Sequence, residues 1–189
     1  MRQLVANFGG AIPLLFVSGA VALVAAARLA YVRSQRGEPY PAALARSILD
    51  AAVALMIFDI VVITLMTHGP KFRKIQLIPL EELRRVLLDS ARPGRALVLA
   101  NFALFLPFGA LLPLRFRKLD RFWVMAALTA SFSVVIEALQ FAIGGHESSV
   151  DDVIANTASA LAGMLAMRAA RAAFRAARAR RPSAAADGG

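Results

Sequence analysis

The chain has 189 residues, of which 59% are hydrophobic and 18% charged, with a formal net charge of +10 and a mean hydropathy of +0.63. Too little polar surface is present to wrap one water-soluble core, so the expected fold class is all-α, an integral membrane helical bundle. The absence of cysteine excludes disulfides, thiol nucleophiles and thiolate metal sites.

Five segments reach or approach the roughly 20 apolar residues that a spanning helix needs, at about 8–31, 47–67, 97–114, 122–143 and 152–170. Arg2 and the small residues Ala25, Ala26 and Ala27 give the first segment some look of a signal peptide. Its apolar run exceeds the roughly 7–15 residues of such a region, which favours an uncleaved span. The third is the shortest and contains Pro107, so a kink or tilt is expected there.

The 22 Lys and Arg residues fall between these runs or at the chain ends, the distribution of a membrane protein, so no nucleic-acid partner is expected. With the loops near 28–46 and 115–121 and the C-terminal tail on the cytoplasmic side, 14 cations lie inside and 8 outside. The positive-inside rule then predicts an outside N-terminus and an inside C-terminus. The expected organisation is a two-helix region at 1–67, an extracytoplasmic loop at 68–96, a three-helix core at 97–170 and a basic cytoplasmic tail at 171–189. Within the loop, LEELRRVLLDSA after Pro79 reads as a short helix with Glu81 and Glu82 in its first turn, where the helix dipole favours anions. It suits either an interfacial amphipathic segment or an ordinary linker. The tail from Arg168 reads as an Ala/Arg-rich helical extension that loses order at RPSAAADGG.

The fourth and fifth segments carry polar groups that membrane helices usually exclude. At 100° per residue, Thr129, Ser133, Glu137 and Gln140 share an arc of about 80°, and Asp152, Asn156, Ser159 and Gly163 one of about 60°. The predicted topology puts Asn101, Glu137, Gln140, Asp151, Asp152 and Asn156 in the outer half of the bilayer, with Asp59 about eight residues before the outer end of the second span. The linker GGHESSV is expected to hold Asp151 and Asp152 near Glu137. Intramembrane ionisable groups are candidate functional groups by default. Plainer roles compete with that reading. Asn101, Gln140 and Asn156 suit hydrogen bonds between helices, and Asp152 suits the positive end of a helix. Asp50 is expected to pair with Arg46 one turn away. Asp59 and Glu137 are harder to account for this way, since each carboxylate needs a partner. His146 reads as a surface loop residue. With Glu147 and the aspartates it offers donors for a divalent cation, but no tight metal spacing is present, so no metal or cofactor is expected.

Four stretches, IQLIPL at 75–80, LANFALFLPFGALLP at 99–113, SFSVVIEALQF at 131–141 and VDDVIANTASALAG at 150–163, resemble the VanZ-like family of bacterial membrane proteins. The resemblance falls on Asn101, Pro107, Gly109, Glu137, Gln140, Asp151, Asp152, Asn156 and Gly163. The chain departs from the family's pattern at Gln76, where Asn is frequent, at His146, near a frequent Arg, at Ser149, near an acidic position, and at Ser159, where Gly is common. The family is named for low-level resistance to teicoplanin, a lipoglycopeptide, so the resemblance implies a cell-envelope role in the plasma membrane without fixing a reaction. The favoured expectation is a protein that recognises an amphiphile, such as a lipid-linked envelope intermediate or a lipoglycopeptide tail, at a polar pocket among apolar helices. Alternatives are an enzyme on a lipid-linked substrate with Glu137 or Asp152 as acid/base, a proton-coupled carrier using Asp59 and Glu137, and a structural or assembly protein.

Overall fold

The computed structural model describes residues 11–66, 74–80, 84, 94–143 and 147–180. The described residues include five long helices: α1 (Ala11–Gln35), α2 (Tyr40–Met66), α3 (Gly94–Arg115), α4 (Phe122–Ile143) and α5 (Val150–Ala179). α1, α2, α4 and α5 are each long and apolar enough to cross a bilayer, while the described apolar stretch of α3, Phe102–Arg115, is shorter. The large side chains exposed along them, Phe16, Leu23, Val24 and Val135 among others, form the lipid-facing surface such a bundle requires.

The bounds of α4 coincide with its apolar run, but the other four helices outlast theirs at one end or both. α1 continues to Gln35 and α2 begins at Tyr40, so the expected loop at 28–46 shrinks to a tight turn. Gly37 takes up a φ of 89° there, and Gly37 N donates to the Ser34 carbonyl at 3.0 Å. Pro41 sits just inside the start of α2, where a missing N–H is harmless. Hydropathy marks where the bilayer ends; alanine, arginine and leucine carry the helix beyond it. α5 likewise runs to Ala179, so its 30 residues span about 45 Å against a hydrocarbon core of about 30 Å. The expected helix at 80–91 lies outside the described residues except for Leu80 and Arg84, where Arg84 N donates to the Leu80 carbonyl at 2.9 Å.

α3 and α5 make the closest crossing. The backbones meet at Gly109, which faces the Ala160 carbonyl, and at Gly163, which faces the Leu106 carbonyl. A Cβ on Gly109 would overlap that oxygen and stand 2.6 Å from Ala160 Cα; one on Gly163 would overlap the Leu106 oxygen and stand 2.9 Å from its carbonyl carbon. Small residues permit this approach, and apolar side chains then close around it. Phe105, Phe108, Met125, Ile136, Ala160 and Met164 form the core with Val53 and Ile60 of α2. Phe108 stacks on Phe132 with centroids 5.6 Å apart. α1 packs on α2 at the edge of the bundle.

Charges gather at the end of the bundle where α1, α3 and α5 leave their apolar runs. Arg33 donates to Asp50 at 2.6 Å and to Ser47 at 2.8 Å, and Arg115 of α3 also binds Asp50. Arg46, the expected partner of Asp50, instead meets Glu38 at 3.2 Å. Helical spacing favours the nearby pair, but the two neighbouring helices bring guanidiniums to the buried side of α2. Arg168 binds both the carboxylate (2.7 Å) and the carbonyl (2.8 Å) of Asp120, tying α5 to the turn before α4.

Candidate functional site

At the opposite end, three short segments converge. Lys74–Gln76 (β1) pairs in parallel with Glu147–Ser149 (β2), with Gln76 opposite Ser149. Ser149 then caps α5: its hydroxyl accepts from Asp151 N at 3.1 Å, satisfying one of the unpaired N–H groups of the first turn. The same residue's N–H donates to Glu137 Oε2 of α4 at 3.2 Å. Asp151 Oδ1 in turn accepts from the N–H of Leu80, beyond β1. Thus the segment after β1, the strand before α5 and the end of α4 are held together by two carboxylates and a serine.

Leu80 has a φ of 63°, a left-handed conformation that costs a non-glycine residue roughly 1–2 kcal/mol. That conformation coincides with its bond to the buried Asp151. One helical turn past Glu137's level, Gln140 donates to the Thr64 carbonyl at 2.8 Å, fastening α4 to the end of α2. One turn in the other direction, Ser133 accepts from Asn156 Nδ2 at 2.9 Å. Thr129, Ser133, Asn156 and Ser159 are all buried, continuing the polar face toward the middle of the bundle. Ser159 donates to the Phe102 carbonyl of α3 at 2.6 Å. Asn156 is 3% exposed, and among the described residues its Oδ1 has no hydrogen-bond partner. An unpaired buried acceptor of this kind costs about 1–3 kcal/mol.

The structure links Glu137 and Asp151 through Ser149, while Gln140 and Asn156 have partners of their own, the Thr64 carbonyl and Ser133, and Asp152 is half-buried in the first turn of α5. Asn101 lies on α3 one residue before the Ser159 contact, but its side chain falls outside the described residues, as does His146 entirely. Asp59 stands apart from the cluster: it accepts from Ser18 of α1 at 3.0 Å, between the two N-terminal helices. Sequence reasoning gave Ser149 no role of its own, although a serine two residues before an acidic first turn is a recognisable helix-start signal. Thr64 and Leu80 contribute backbone groups, which no side-chain pattern could have singled out.

The stretches that meet here are IQLIPL, IEALQ and VDDVIAN, and a family model described as VanZ/LLP1 matches residues 49–171. The chain belongs to the VanZ-like family. In this VanZ-like protein the matched region takes in most of α2, all of α3 and α4, and α5 as far as Arg171; α1 and the distal end of α5 lie outside it. No curated protein and no solved structure matches the chain. Gly109 and Gly163 acquire a packing explanation from the α3–α5 crossing, whereas Glu137 and Asp151 hold the convergence of loops and helix ends, Gln140 bonds the end of α2, and Asn156 lies a turn deeper on Ser133.

Proposed function

We propose that this VanZ-like protein resides in the bacterial plasma membrane and recognises an amphiphile at the polar cluster. The amphiphile is a lipid-linked envelope intermediate or the acylated part of a lipoglycopeptide such as teicoplanin. Glu137, Gln140, Asp151, Asp152, Asn156 and Asn101 take its polar head while the apolar helices contact its tail. The observation that carries this reading is Asn156 Oδ1, unpaired among the described residues and one turn deeper than the Asp151 and Glu137 carboxylates. A ligand hydroxyl or amide is the donor that this acceptor lacks, and its binding recovers a cost that folding leaves standing.

A second reading has an observation of its own. Glu137 and Asp151 accept from backbone N–H groups of Ser149 and Leu80, so the cluster would serve as a latch that orders the loops and starts α5. Single variants Glu137→Gln, Asp151→Asn and Asn156→Leu separate the two when membrane abundance is measured beside lipoglycopeptide sensitivity. Recognition predicts normal abundance and altered sensitivity for Asn156→Leu, which removes an unsatisfied polar group from the interior. If every variant loses abundance in proportion to its phenotype, the latch alone stands.

A further inference from the structure

Beyond Arg168, α5 presents a cationic face that the cluster at the other end does not involve. At 100° per residue, Arg168, Arg171, Arg175 and Arg178 lie within an arc of about 80°. Asp120 pairs with the first two, at 2.7 Å and 3.5 Å. Arg175 and Arg178 are exposed and form no ion pair among the described residues, and they border a shallow recess together with Phe174, which is 68% exposed. The remaining faces of this stretch are almost entirely alanine. Two exposed guanidiniums beside an exposed aromatic ring match a ligand with a negative head and an apolar body.

Position narrows the ligand further. The Asp120–Arg168 bond joins α5 to the start of α4, where Phe122 and the exposed Trp123 form an edge-on aromatic pair 5.0 Å apart, as at a membrane interface. Arg175 and Arg178 follow Arg168 by seven and ten residues, about 10 and 15 Å along the helix. Headgroups occupy roughly the first 5–8 Å outside the hydrocarbon, and an arginine side chain can reach back toward them along its own stem. We infer that Phe174, Arg175 and Arg178 bind the headgroups of anionic phospholipids in the leaflet on the arginine-rich side.

The test uses the full chain with its single native tryptophan moved to the recess, Trp123→Phe with Phe174→Trp. It is reconstituted into phosphatidylcholine vesicles that contain equal fractions of brominated phosphatidylglycerol or brominated phosphatidylcholine. Brominated phosphatidylglycerol should quench the tryptophan more strongly than its neutral counterpart. Adding Arg175→Gln and Arg178→Gln should abolish that excess, since each arginine near an anionic surface is worth roughly fivefold in affinity. Arg175→Lys with Arg178→Lys should retain most of it. High salt should suppress it, because the Debye length falls to about 3 Å at 1 M. Equal quenching by the two lipids, or an excess that survives loss of both arginines, overturns the proposal. So does tight binding of a soluble polyanion such as duplex DNA without any lipid preference. The outcome is independent of lipoglycopeptide sensitivity, so it leaves the reading of the polar cluster untouched.

Discussion

Replacing Gly163 or Gly109 with alanine tests the α3–α5 crossing directly. In a helix interior the exchange should gain up to about 1 kcal/mol from reduced backbone entropy. Here the new methyl overlaps a carbonyl oxygen of the facing helix, and for Gly109 it also stands 2.6 Å from Ala160 Cα. Ordinary contact begins near 3.4 Å, so clearing the overlapped carbonyl oxygen requires the backbones to part by well over an ångström. No rotamer change can relieve a clash with backbone. The separation also stretches the 2.6 Å bond from Ser159 to the Phe102 carbonyl. Overpacking costs about 1–3 kcal/mol even where side chains yield, so a net loss of about 3 kcal/mol is expected for either variant. Gly19→Ala is the matched control, with nothing within 4 Å of its Cβ, and should be neutral or stabilising by up to about 1 kcal/mol. Thermal unfolding in detergent, followed by far-ultraviolet circular dichroism, reads all three. A Gly163→Ala protein as stable as the parent would refute the close crossing.

Asp50→Ala should destabilise the protein by about 2 kcal/mol in the same assay, because it leaves Arg33 and Arg115 facing each other without their shared anion. Glu38→Ala, whose partner Arg46 is 59% exposed, should cost no more than about 0.5 kcal/mol. Leu80→Gly should be tolerated within about 0.5 kcal/mol, since glycine accepts the left-handed backbone at little cost. Leu80→Pro removes the N–H that Asp151 receives and fixes φ at the wrong sign, so it should lower stability by more than about 2 kcal/mol. For topology, a Ser148→Cys variant carries the chain's one thiol. It should react with an impermeant maleimide in intact cells if the N-terminus and the polar cluster face outward; labelling that requires permeabilisation would reverse the orientation.

Much of the bundle could be read from the chain. The apolar run at 122–143 became α4 with the same bounds, because in a bilayer every backbone group must be paired within the segment. The polar arcs of the fourth and fifth segments were legible for a similar reason: helical pitch fixes which residues share a face, and Ser133 with Asn156 now joins those faces. Partner choice was a different matter. Arg46 is one turn from Asp50, yet the carboxylate is taken by Arg33 and Arg115 from other helices. Asp59 and Glu137 seemed alike as intramembrane carboxylates, but one meets Ser18 on α1 and the other meets the backbone before α5.

By itself, then, the sequence determined the class, the helices and the faces they present, since these depend on local pitch and on transfer from water to an apolar medium. Only the tertiary structure decided which faces meet and at what depth. The pairing of Gln76 with Ser149 joins segments more than seventy residues apart, and the crossing at Gly109 and Gly163 depends on how α3 and α5 are inclined. Neither leaves a periodic trace, because contacts between distant segments are set by geometry summed over the whole bundle and not by the spacing of residues within any one helix.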